Sequence, residues 1–265
     1  MELMSSQAFE DPSTIEEIPE DDDDEGFVSF DSSKIPVYTV MLEETTREKC
    51  KTIIICEGIE ATDFAKSHLP LVGSEPIGKL VKKTQLDKSE VEIWGFQYKE
   101  PEPSWFFQIN EETLLCTCNP TISSEDFSLF AKTVITSFNS TMAVVILTVS
   151  PITNYKSDDH TTSTEAPLIR TLATSAFNSN GFVKNIRLEQ PNILGGLAAG
   201  FLTVCDIKQI PAVACVAFSS NLDADVVNGF TTFLHSVECT QQLQISPTKR
   251  FPVRDKCTKT GNLYI

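Results

Sequence analysis

Three short apolar runs constrain this chain more than any other feature: Lys51-Thr-Ile-Ile-Ile-Cys56, the segment 142 to 149 beginning Met142-Ala-Val-Val-Ile-Leu, and Pro211-Ala-Val-Ala-Cys-Val-Ala-Phe218. None alternates apolar with polar. Such runs mark strands buried on both faces, and therefore a largely parallel sheet covered by helices. The first run is expected to open the sheet. Between the runs the period changes to that of a helix. Residues 60 to 68 read as a short helix stopped by Pro70. From Ser123, a candidate N-cap with Glu125 and Asp126 in the first turn, Phe127, Phe130, Val134 and Phe138 recur at helical spacing. After Gln190-Pro191-Asn192, the residues Ile193, Leu197, Phe201, Leu202 and Cys205 form one apolar face. Gly195, Gly196, Ala198, Ala199 and Gly200 permit close packing there. A last helix covers Leu222 to Ser236, with Val226, Val227, Phe230, Phe233 and Leu234 inward.

The intervening pieces complete the order. Val91 to Tyr98, Ser104 to Ile109 and Thr113 to Cys118 are β-rich and separated by breaks short enough for antiparallel hairpins. A Lys-rich amphipathic stretch at Leu80 to Lys88 and the segment Pro167 to Thr174 read as short helices. Gly181 to Glu189 reads as extended, and Ser150 to Thr164 as a long mobile loop. The expectation is α/β: a three-layer, Rossmann-like α/β sandwich with an antiparallel β portion in its first half.

Charge divides the chain. Twelve of its 37 acids precede the first cation, Lys34, which leaves 25 acids against 21 Lys and Arg in the remainder. Most of the net charge of −16 therefore belongs to a leader too poor in apolar surface to offset its ordering entropy. The organisation read from this is a disordered acidic leader over 1–33, an α/β domain over 34–240 and an extended C-terminal tail over 241–265. Nucleic acid is not an expected ligand, because phosphate binding needs clustered cations. No cationic and apolar signal opens the sequence, and no apolar run reaches the ~18 residues of a membrane span. Neither secretion nor membrane insertion is expected. The eight cysteines are then read as free thiols. Cys56, Cys116, Cys118, Cys205 and Cys215 are assigned to the core, and Cys50, Cys239 and Cys257 to the periphery.

Tests for chemistry return little. Gly195-Gly-Leu-Ala-Ala-Gly200 opens a helix but places Leu197 where a dinucleotide loop needs its second spaced glycine, so it reads as close packing. Cys116-Thr-Cys118 is a single pair without the second pair a zinc site requires. His68, His160 and His235 lie far apart, and Tyr155-Lys156 lacks the spacing that puts a proton-relay pair on one helical face. No catalytic residue, metal or cofactor is assigned, and the chain reads as a binding protein and not an enzyme. The rival is a diverged nucleoside- or nucleotide-handling α/β enzyme, whose sign would be converging His, Asp or Arg side chains near residues 155 to 195.

Four stretches carry a more specific signal: Ile146-Leu-Thr-Val-Ser-Pro-Ile-Thr-Asn-Tyr-Lys156, Ala166-Pro-Leu-Ile-Arg-Thr-Leu172, Leu188-Glu-Gln-Pro-Asn-Ile193, and Asn262-Leu-Tyr-Ile265. In order and spacing they resemble the proteasome assembly chaperone 1 family. The resemblance implies the three-layer fold, no catalysis, and a heterodimer with proteasome assembly chaperone 2. It also implies binding to the α-subunit ring of the 20S proteasome, where the pair helps ring formation and blocks off-pathway ring dimers and early activator docking. The implied location is cytoplasmic, with the nucleus and the endoplasmic reticulum surface as further sites. The family's C-terminal hydrophobic-Tyr-X motif falls on Leu263, Tyr264 and Ile265. Its physics is direct. A terminal carboxylate can be captured by a lysine or by backbone N–H groups. Burying a leucine is worth roughly 1.5–3 kcal/mol, and a tyrosine packs its ring while its hydroxyl stays bonded at a rim. An anchor of three residues binds weakly alone, so the body must supply a second contact.

Overall fold

The computed structural model describes residues 37–83, 101–139, 141–156, 168–178, 186–219 and 222–246. These all belong to one compact unit, and Met1–Ile35 lies outside the described residues. The acidic leader, the β-rich stretch Val91 to Tyr98, His160, Cys257 and the C-terminal Leu263, Tyr264 and Ile265 lie outside them too.

Among the described residues eight strands form one sheet. They are β1 (Val37–Met41), β2 (Thr52–Glu57), β3 (Gly78–Lys83), β4 (Ser104–Gln108), β5 (Thr113–Thr117), β6 (Ala143–Ser150), β7 (Leu168–Ala173) and β8 (Ala212–Phe218). Their spatial order is β1-β3-β4-β5-β2-β6-β8-β7. The three apolar runs are β2, β6 and β8, which lie side by side and parallel, with β5 parallel on the other flank of β2. β4 and β5 pair antiparallel across the short Asn110-Glu-Glu112 break, β3 pairs antiparallel with β4, and β1 and β7 close the two edges antiparallel.

Among the described residues five α-helices accompany the strands: α1 (Glu44–Lys49), α2 (Gly58–His68), α3 (Phe127–Thr136), α4 (Gly196–Ile207) and α5 (Ala224–Ser236). The sheet divides the core in two. One side holds Ile53, Ile55, Val144 and Ile146 against Phe130 of α3 and Phe201 of α4. The other holds Ile54, Val145, Leu147 and Val213 against Phe64 of α2 and Phe230 and Phe233 of α5. Alternate residues of each buried strand thus feed opposite layers, as strand geometry demands. Six phenylalanines with essentially no exposure, these five and Phe106, fill the two layers. Each stabilises by about 1.5–3 kcal/mol relative to exposure.

Several expectations are corrected. β2 does not open the sheet; Val37–Met41 precedes it at the edge, and β2 sits centrally. Leu80–Lys83 is strand, not helix. β1 pairs it along its whole length, β4 pairs the same strand at Gly78–Leu80, and Lys82 Nζ reaches the Asp126 carboxylate at 2.5 Å, so sheet pairing overrides the local helical period. Leu168–Ala173 is also strand, half-buried on both faces, which erases the alternation that would reveal it. Ser123 makes no side-chain capping bond; a turn of 3-10 helix over Ser124–Asp126 leads into α3 instead. Ile193 is 86% exposed and precedes α4, which begins only after Gly195. Cys50 is buried, not peripheral. The five cysteines assigned to the core are all buried, and all seven described cysteines are free thiols. After α5 the chain runs through turns with Leu243 buried in the core.

Candidate functional site

Parallel strands all end on one edge, and open α/β sheets place ligands there, where the strand order reverses. A pocket of about 520 Å³ occupies this edge. It lies between the ends of β2, β6 and β8, the loop after β6, and the loop before α4.

Glu57, the last residue of β2, forms its floor. Its carboxylate accepts from Leu197 N at 2.6 Å and Ala198 N at 3.0 Å, satisfying two of the unpaired N–H groups at the start of α4. Gly196 makes this approach possible. It has φ +72°, and a Cβ there would lie 2.5 Å from Glu57 Oε1. Burial pushes the Glu57 carboxyl above its ordinary value, opposed by the two backbone N–H groups and the Thr148 hydroxyl. The helix terminus that an anionic ligand would use in a nucleotide site is therefore filled by the protein's own carboxylate.

The rim, where Lys156, Asn192 and Phe218 line the pocket, is backed by a second internally satisfied cluster. Arg170 of β7 donates from Nε to Glu189 Oε2 at 2.7 Å and from Nη2 to Glu189 Oε1 at 3.1 Å. The Tyr155 hydroxyl donates to the same carboxylate and receives Arg170 Nη2 at 3.1 Å. The Tyr155 ring packs at 5.1 Å on Phe218, the last residue of β8. Burial pushes the Glu189 carboxyl up, but Arg170 and Tyr155 outweigh it and hold it at about 2. Asn192 then ties the two loops together. Its Oδ1 accepts from Lys156 N at 2.7 Å and its Nδ2 donates to Lys156 O at 2.8 Å, much as a strand neighbour would.

Arginine does converge with other polar groups between residues 155 and 195, as the rival reading asked. Its guanidinium is engaged by Glu189, however, and the helix terminus by Glu57. The arrangement fixes two loops in place more than it offers charge to a substrate. Among the described residues no group of three or more His, Cys, Asp or Glu side chains is placed to hold a metal ion. His68 and His235 serve the chain that follows α5: His68 Nδ1 lies 2.6 Å from Ser246 O and His235 Nε2 lies 3.2 Å from Leu243 O.

Three of the four stretches singled out in the sequence meet at this rim. Tyr155 and Lys156 come from the first, Arg170 from the second, and Glu189 and Asn192 from the third. Their ordered recurrence was legible in sequence, while their mutual contact was not. Glu57 carried no signal beyond an acid beside a glycine. The fourth stretch, ending in Leu263, Tyr264 and Ile265, lies outside the described residues. A family model described as proteasome assembly chaperone 4 matches residues 29–265. The chain belongs to this family of proteasome assembly chaperones. Curated relatives carry the name proteasome assembly chaperone 1. That of Xenopus tropicalis is 29% identical over 252 residues, covering 87% of this chain and 83% of the relative. The human one is 29% identical over 199 residues, covering 70% and 65%. Among solved structures, Pyrococcus furiosus PbaA, an archaeal homologue of proteasome-assembly chaperone, superposes with a TM-score of 0.50 at 11% identity. The superposition covers 75% of this chain and 84% of PbaA, and supports the α/β fold.

Proposed function

We propose that this chain promotes assembly of the 20S proteasome α-ring as a heterodimer with proteasome assembly chaperone 2, docking through Leu263, Tyr264 and Ile265 and limiting off-pathway ring association. The family match over residues 29–265 carries the reading. The self-neutralised rim agrees with it, since a docking body needs fixed loops more than a reactive pocket. Ser246 is tethered to His68 through both its N–H and its carbonyl, so the departure point of the tail is set by the fold. The 17 residues from there to Leu263 reach at most about 60 Å when fully extended. The anchor in this reading is the Ile265 carboxylate, with Leu263 and Tyr264 packing beside it. Body and anchor together gain from effective concentration what neither contact supplies alone. The compartment proposed is the cytoplasm.

The test is co-purification of proteasome α subunits, in the presence of the second chaperone subunit, with the intact chain, a chain lacking Leu263-Tyr264-Ile265, and Tyr264→Ala. The expected result is α-subunit recovery by the intact chain and a loss of tenfold or more in the other two. Equal recovery by all three would remove the tail from the mechanism. No recovery by the intact chain would remove the function itself.

A further inference from the structure

Among the described residues, one part of the sheet keeps apolar side chains outside both core clusters. Register pairs Val37 with Lys83, Thr39 with Val81 and Met41 with Lys79, and Lys79 in turn with Trp105 of β4. Cross-strand partners point to the same side, so these seven side chains share a face. The alternate set, Tyr38, Val40 and Leu80, packs into the core beneath α3. Val37, Met41 and Val81 enter neither core cluster. Val37 is 49% and Met41 52% exposed, and Val72 (57%) and Ile77 (37%) stand on the adjoining loop. Four of the seven large exposed apolar side chains among the described residues therefore lie on β1 or on the loop that leads into β3. Beside them opens a groove of about 850 Å³ lined by Leu69, Leu71, Pro76, Trp105 and Phe107, with Lys66 Nζ 5.3 Å from the Phe107 ring.

Apolar surface collected this way marks an interaction site, and its charges narrow the occupant. Lys79 and Lys83 stand on this face and form no ion pair among the described residues. The third lysine of β3, Lys82, points to the opposite face and pairs with Asp126. A symmetric dimer of this chain would lay the patch on itself and bring like-charged lysines together. A different chain with an apolar centre flanked by carboxylates meets no such repulsion. The edge is also held rigid, because Asp126 binds both the Tyr38 hydroxyl at 2.9 Å and Lys82.

We propose that this face of β1, β3 and β4, with the groove beneath the 70–77 loop, seats the second α/β chaperone subunit through an apolar patch flanked by carboxylates. This rests on the heterodimer reading above and adds the surface to it. The experiment co-expresses the full-length chain with that subunit and measures recovery of the pair. It compares the wild type with Val37→Glu/Met41→Glu, with Lys79→Glu/Lys83→Glu, and with Ile207→Glu, an exposed position on α4. Thermal melting confirms that each variant folds. Recovery is expected to fall tenfold or more in both double variants and to stay unchanged for Ile207→Glu. Wild-type recovery is expected to weaken as salt rises from about 0.1 to 0.5 M, because screening shortens the reach of the lysines. Full recovery in both double variants overturns the assigned surface while leaving the heterodimer standing. A wild type that recovers no second subunit overturns the heterodimer reading and the surface with it. A wild-type homodimer by sedimentation that the double variants abolish assigns the face to a second copy instead. Amide protection of β1 and β3 that is as high in the isolated monomer as in the pair shows that the chain covers this face itself, and overturns the proposal.

Discussion

Two carboxylates stand at the same edge of the sheet, and the fold treats them oppositely. Glu57 is pushed up by burial although Leu197 N, Ala198 N and Thr148 bond it, whereas Glu189 is drawn down to about 2 by Arg170 and Tyr155. Removing Glu57 leaves the first N–H groups of α4 without their acceptor, at about 1–3 kcal/mol for a buried group left unsatisfied. Glu57→Ala is therefore expected to lose that much in a urea titration, with α-helical circular dichroism retained. Glu189 yields a pH prediction. Its folded value lies below the ordinary 4.5, so its contribution is present above 4.5 and is lost as pH falls toward 2. Its side chain is 44% exposed, and solvent screening limits the effect to under ~1 kcal/mol. Urea midpoints of wild type and Glu189→Gln should differ most above pH 4.5 and converge near pH 2; curves parallel throughout would show the pairing to be energetically silent.

Packing between elements explains why some were misread. In β2, β6 and β8 nearly every side chain is buried, and an apolar run is then sufficient signal. β3 and β7 have half-buried patterns on both faces, and their strand state follows from neighbours far along the chain: β1 and β4 for the one, β8 for the other. The small residues at the start of α4 were legible as a packing signal, and Gly200 shows the reason. A Cβ there would lie 3.2 Å from Phe127 O at the start of α3. Gly200→Val should force α3 and α4 apart and cost about 1–3 kcal/mol by overpacking, read as a lower denaturant midpoint. An unchanged midpoint would mean the helices can slide to make room.

At the scale of the whole molecule, the packing contribution of residues 237–246 and the proposed docking role of the residues after them can be tested apart. Val237, Thr240 and Leu243 are buried, and Ser246 is bonded to His68. A chain cut after Ser246 should melt within a few degrees of the intact protein while failing to recover α subunits. A chain cut after Ser236 loses two buried apolar side chains, Val237 and Leu243, at about 2–5 kcal/mol each, and should melt far lower. Equal melting of both truncations would show that residues 237–246 add nothing to the core. The sequence by itself determined the three central strands, their flanking helices, the class of fold and the family, because each is written in local apolar periodicity or in ordered motifs. It could not determine that Glu57 would fill the start of α4, 140 residues away, or that Tyr155, Arg170 and Glu189 would close on one another. Nor could it show that Val37, Met41 and Val81 would stay outside both core clusters. Those outcomes depend on which segments the sheet brings together, and contact between residues distant in the chain leaves no periodic trace in it.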